Sequence, residues 1–225
     1  MNRVIVFDVN ETLLDLAALD PLFVRIFGDA GARREWFGQI VQSACVATIT
    51  DAYADFSTIG QAALTMVAAR HGVTLTDADR VAVRDGMRHL PPHGDVRPSL
   101  ERLREAGLRV AALTNNPLVV VAAQMANAGL TDCFERIMSV DEVHRLKPAP
   151  GPYRMAAARL GIEIGQMRLV AAHAWDVGGA MRAGAAGVFV ARPGQVLDPL
   201  LPTPDIVGAD LHAVTARIIA AERPG

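Results

Sequence analysis

Four short, unbroken apolar runs constrain the fold of this chain more than any other feature. "VIVFDV" (4–9), "RVAALT" (109–114), "RLVAA" (168–172) and "GVFVA" (187–191) are rich in Val, Ile and Leu, and none alternates apolar with polar residues. A strand with one wet face alternates, whereas a strand covered on both faces reads as a continuous run, as in parallel sheets. Between the runs lie stretches of helical periodicity: "VRPSLERLREAG" (96–107), "LVVVAAQMANAG" (118–129), "PGPYRMAAARLG" (150–161) and "DVGGAMRAGAA" (176–186). Three of them finish on Gly107, Gly129 and Gly161, where left-handed helix caps are expected. Strand and helix alternating in this way predict an α/β protein with a Rossmann-like, doubly wound parallel sheet.

The first strand stands apart from the series. Residues 15–92 read as helical throughout, in four amphipathic segments: "DPLFVRIFGDAG", "REWFGQIVQSACVATITDAYADF", "STIGQAALTMVAARHG" and "TDADRVAVRDGMRHL". "PPHGDV" then breaks the pattern. The expected organisation is a core of residues 1–14 and 93–225 with an all-helical cap, 15–92, inserted after the first strand.

Charge and composition exclude several classes of function. A net charge of −2 with no basic run gives no footprint for nucleic acid. No apolar stretch has the length of a membrane span, and acids interrupt the first twenty residues, so a soluble, cytoplasmic protein is expected. Cys45 and Cys133 have neither CxxC spacing nor a histidine pair nearby, and read as free thiols. The 22 basic residues comprise 21 arginines and one lysine, Lys147, which points to a place where a compact ammonium is needed.

In an open α/β sheet, ligands bind at the carboxyl ends of the strands. Four polar groups fall there: Asp8 with Thr12; Thr114, Asn115 and Asn116; Lys147, ahead of a helix; and His173 with Asp176. Capping and turn formation would explain any one of these. They do not readily explain all four.

"FDVNETL", "ALTNNP", "RLKPAPGPY" and "LVAAHAWD" resemble, in order, the four motifs of the haloacid dehalogenase superfamily, and within it the cofactor-free 2-haloacid dehalogenases. The resemblance covers essentially the whole chain, cap included. It implies a metal-independent hydrolase that removes halide from a small 2-haloacid through an aspartyl ester. Asp8 would be the nucleophile, oriented by Thr12. Lys147 would hold Asp8 ionised, and Asp176 would position Lys147 and help polarise the hydrolytic water, or serve only as an ion-pair partner. Thr114 and Asn115 would bind the substrate carboxylate, the halide, or both, from a helix N-terminus. Tyr153 would support the Asp8 and Lys147 pair, Trp175 would lie near the site, and Asn10 would face the substrate. Dimerisation is expected by analogy with relatives.

A magnesium-dependent phosphatase of the same superfamily is the alternative. It would want an acid where Asn10 stands and a metal-binding carboxylate where Ala172 stands. Asp8 and Asp176 alone, beside a lysine, make a poor magnesium site, so neither metal nor cofactor is expected. A non-catalytic binding module is a third possibility, against which the retained set of Asp8, Thr12, Lys147 and Asp176 argues.

Two positions depart from the family pattern. Phe37, after Trp36, stands where an arginine is usual, and Gln39, Arg33 or Arg34 are candidate substitutes. His173 stands where an asparagine is usual, and reads as a hydrogen-bonding replacement or as a second base. Trp36, Phe37, Tyr53 and Phe56 are expected in the cap's core, with one or two lining a pocket.

Overall fold

The computed structural model describes residues 4–222. Strand β1 (Val4–Phe7) is wholly buried and leads into a short turn of 3-10 helix, Leu16–Leu19. Four helices follow: α1 (Asp20–Phe27), α2 (Gly31–Ile49), α3 (Phe56–His71) and α4 (Asp77–Arg88). Then come α5 (Val96–Glu105), β2 (Val110–Thr114), α6 (Leu118–Asn127), β3 (Arg136–Ser139), α7 (Pro150–Leu160), β4 (Met167–Ala171), α8 (Ala174–Ala183), β5 (Ala186–Val190), β6 (Ile206–Gly208) and α9 (Leu211–Glu222).

All strand pairs are parallel, in the order β3-β2-β1-β4-β5-β6. The order reverses between β1 and β4, so the crevice of a doubly wound sheet opens at their carboxyl ends. Asp8 and His173 follow those two strands. Beyond the four expected strands the structure adds β3, β6 and the closing helix α9. β6 is a three-residue edge strand and β3 begins on an exposed arginine, so neither makes an apolar run.

Local chemistry sets the element ends. Asp55 caps α3 by accepting from the Ser57 and Thr58 N–H groups, and Thr76 with Asp79 forms a capping box on α4. The expected left-handed glycines occur at Gly107, Gly129 and Gly161, with φ of 78°, 66° and 69°. The segment read from sequence as one helix over 34–56 breaks after Ile49, and α8 starts at Ala174 rather than Asp176.

Helices α1–α3 close over one another through aromatic packing. Phe23 lies 5.2 Å from Trp36, whose indole N–H donates to the Gly60 carbonyl at 2.8 Å. Polar ties join this layer to the segment before Lys147: the Tyr53 hydroxyl donates to Asp141, and Arg145 donates to the Thr48 carbonyl at 2.7 Å. Among the described residues, no helix is long and apolar enough to cross a membrane. Cys45 and Cys133 are both free thiols.

Candidate active site

Asp8 sits one residue beyond β1, its N–H bonded to the Val170 carbonyl of β4 at 3.0 Å. The β4 backbone therefore anchors Asp8 at the crevice. Thr12 donates to Asp8 Oδ2 at 2.8 Å and is itself aimed by the Ala172 N–H at 3.0 Å.

On one flank stands Lys147. Its ammonium donates to Asp8 Oδ1 at 2.8 Å, to Asp176 Oδ2 at 2.6 Å and to the Leu113 carbonyl at 3.1 Å, so all three of its protons are used. Tyr153 donates to Asp176 Oδ1 at 2.6 Å, which occupies the other oxygen of that carboxylate. Asp176 is 0% exposed and Lys147 2%. Helix α8 approaches this closely because Gly179 has no side chain: a Cβ there would lie 2.5 Å from Pro148 and 2.9 Å from the Tyr153 hydroxyl.

Burial opposes charge on Asp8, but Lys147 and then His173 outweigh it and hold the carboxyl well below the usual carboxylate range. Burial likewise opposes the Lys147 ammonium, and Asp176 with Asp8 keeps its pKa above the ordinary lysine value. Burial, joined by the charge of Asp8, raises Asp176. Tyr153 is pushed well up by burial and by the Asp176 charge, so it stays a donor.

On the other flank stands His173. Its Nε2 lies 2.7 Å from Glu11 Oε2, while its Nδ1 lies 3.4 Å from Asp8 Oδ2, a charge contact rather than a hydrogen bond. Nδ1 is buried without a hydrogen-bond partner among the described residues. The ring is sandwiched between Phe37 at 5.3 Å and Trp175 at 5.1 Å. Burial would lower its pKa, but Asp8 and Glu11 together push it up to about 9. Glu11 takes the left-handed conformation, φ 61°, and also accepts from Gln195 at 3.0 Å and Arg33 at 3.4 Å. A non-glycine residue held there is over-determined by its contacts.

Glu11, His173, Trp175, Phe37 and Arg33 line a cavity of about 560 Å³, with Asp8 directly behind His173. Arg192 also faces it, donating to the Thr12 carbonyl at 3.0 Å and, through two nitrogens, to Asp95 at 2.7 and 2.8 Å. It thereby braces the loop that carries Thr12.

The residues singled out from sequence fall into three groups. Asp8, Thr12, Lys147, Asp176, Tyr153 and His173 converge within hydrogen-bonding or ion-pair reach, and Trp175 stacks on His173. Asn10, Thr114 and Asn115 lie alongside with their acceptors committed to protein: Asn10 Oδ1 to Asn116 and Gln124, Thr114 Oγ1 to the Asn116 N–H, and Asn115 Oδ1 to the Lys147 N–H. Helix α6 starts only at Leu118, so the expected N–H groups near Asn115 belong to the preceding turn. Gln39 is a correction: its amide bonds Ser43 and Arg70 within the helical layer and it does not line the cavity. Sequence reasoning missed the binding of Glu11 to His173, and missed Arg192 and Gln195. Arg192 follows β5, and the strand-end rule that found the others would have reached it.

A family model described as haloacid dehalogenase-like hydrolase matches residues 2–184. The chain belongs to this family. It is 28% identical over 207 residues to (S)-2-haloacid dehalogenase 2 of Pseudomonas sp. strain CBS-3, covering 91% of this chain and 90% of that one. It is 26% identical to haloacetate dehalogenase H-2 of Moraxella sp. strain B, covering 93% and 95%. The structure of L-2-haloacid dehalogenase from Xanthobacter autotrophicus with chloropropionic acid covalently bound superposes with a TM-score of 0.91 at 24% identity, covering 99% of this chain and all of that one.

Proposed function

We propose that this hydrolase releases halide from small 2-haloacids, giving 2-hydroxy acids, without metal. The observation that carries the reading is Asp8: an ionised carboxylate clamped by Lys147 and Thr12 and facing a cavity-lining histidine. In the first step an Asp8 oxygen attacks the carbon bearing the halogen. The carbon–oxygen bond forms as the carbon–halogen bond breaks, and the halide leaves with the bonding electrons. No proton is needed on the leaving group, so an acid at Asn10 is not required.

In the second step water attacks the ester carbonyl, a base takes its proton and returns it to the oxygen of the departing hydroxy acid, and Asp8 is restored as a carboxylate by releasing the remaining proton to solvent. Asp176 is ill-suited to this task, because both its oxygens are occupied and it is shut off from the cavity. His173 is suited. While Asp8 is charged, His173 is held protonated, a cation that attracts the substrate carboxylate. Esterification removes the Asp8 charge, the histidine pKa falls, and Nδ1 becomes an acceptor while Glu11 holds Nε2–H. The stacked Phe37 and Trp175 rings keep that edge aimed at Asp8.

A phosphatase reading has no comparable support. The Lys147 ammonium already sits between the two carboxylates that converge, and Ala172 brings no side-chain oxygen, so these residues do not fit a magnesium site. Residues 15–92 act as the cap that closes the crevice, and the enzyme works in the cytoplasm. The test is halide release from chloro-, bromo- and fluoroacetate and both 2-chloropropionate enantiomers with a chelator present. Release is expected; no release from any of them would end the reading.

A further inference from the structure

The cavity in front of His173, about 560 Å³, is of a size that holds ligands much larger than a halopropionate. Its wall on α2 is formed by Arg34, Phe37, Gly38 and Val41, the i, i+3, i+4, i+7 spacing of one helical face. Phe37 covers His173 at the buried end, so Arg34 is displaced from it by about one turn, ~5 Å along the helix. Arg34, Gly38 and Gly194 are exposed whereas Phe37 and His173 are buried, so the cavity runs from His173 outward to a rim at Arg34.

The cations along this path differ in what they face. The Arg33 guanidinium is committed to Asp20 and Glu11. That of Arg192 is committed to Asp95 and the Thr12 carbonyl. The Arg34 guanidinium makes no hydrogen bond or ion pair among the described residues. A side chain at Gly194 would begin 3.8 Å from its guanidinium, so Arg34 spans from α2 to the loop after β5. Three carboxylates share the lining: Glu11 and Asp20 are paired with Arg33, and Asp15 accepts from the Ala17 N–H.

We infer that the substrate is a 2-halodicarboxylate, its reacting end at Asp8 and His173 and its distal carboxylate on Arg34. The inference rests on the dehalogenase reading and adds a second anionic subsite to it.

Chloride release from 2-chloropropionate, 2-chlorosuccinate and 2-chloroglutarate tests it, using the wild-type protein, Arg34→Ala and Arg34→Lys. At least one diacid is expected to exceed the monoacid in kcat/KM by about tenfold or more, as one charge-assisted contact provides. Arg34→Ala should lower that ratio about tenfold, chiefly through KM, and Arg34→Lys should restore part of it. High salt should lower the ratio too, because the rim is open to solvent. A wild-type preference for the monoacid, or a ratio unchanged by Arg34→Ala, overturns the inference while the dehalogenase reading stands. Failure of the wild-type protein to release chloride from all three acids overturns both.

Discussion

Asp8 has two flanks, and they are built differently. On the Lys147 side every polar valence is filled: the ammonium has three acceptors, Asp176 has a partner on each oxygen, and the whole set is dry. On the His173 side one ring nitrogen is left unpaired at the edge of a cavity, and its neighbour Glu11 is shared among three donors. A saturated, buried network fixes charge and aim because any change leaves an unpaired ion. An unsaturated one can exchange a proton. On the proposed reading, the first half of the reaction belongs to the dry flank and the second to the flank that borders the cavity.

The largest effect is expected at the residue both flanks share. Asp8→Asn removes the nucleophile and should lower halide release by more than about a thousandfold, with the fold intact by circular dichroism. A binding module would keep its ligand affinity unchanged. Next is Lys147→Ala, which strands two buried carboxylates. It should cost about 3–5 kcal/mol of stability in denaturant unfolding as well as most activity, and Lys147→Arg should not rescue it, because a planar fork cannot occupy the point between two carboxylates.

His173→Asn sharpens the comparison, since it should spare the first step and slow the second. Rapid-quench kinetics should show a burst of halide equal to the enzyme concentration, followed by turnover reduced about a hundredfold. A uniform loss of both phases would break the division of labour. Glu11→Gln should be milder, about tenfold in turnover, and should bring the histidine pKa down from about 9 because one of the two carboxylates that raise it is gone.

The pH profile carries the same distinction. In the free enzyme His173 is protonated below about 9, so kcat/KM should fall as pH rises through that value and the attracting cation is lost. In the ester the Asp8 charge is absent and the histidine pKa is lower, so the hydrolysis rate should rise with pH over a lower range. The two limbs should run in opposite directions.

Much of the dry flank was legible in the sequence, because its residues stand at the ends of apolar strands or, like Lys147, are singular in composition. Strand ends in an open sheet converge by topology, and no side-chain detail is needed to bring Asp8 and Thr114 together. The cavity flank was harder to read. Glu11 owes its role to a positive φ that turns its side chain toward His173, and Phe37 meets His173 only because helix α2 folds over the crevice. The two departures from the family pattern, 136 positions apart in the chain, are thus one stacked pair in space. Gln39 was misjudged for the same reason: two positions along α2 from Phe37, it lies on a different helical face.

The central claim is the ester on Asp8, and isotope transfer tests it most directly. After many turnovers in oxygen-18 water, the peptide containing Asp8 is expected to gain heavy oxygen in its carboxylate, since each hydrolysis places a water oxygen there. Heavy oxygen in the hydroxy acid with none in Asp8 would mean that water displaces the halide itself, and would contradict the account.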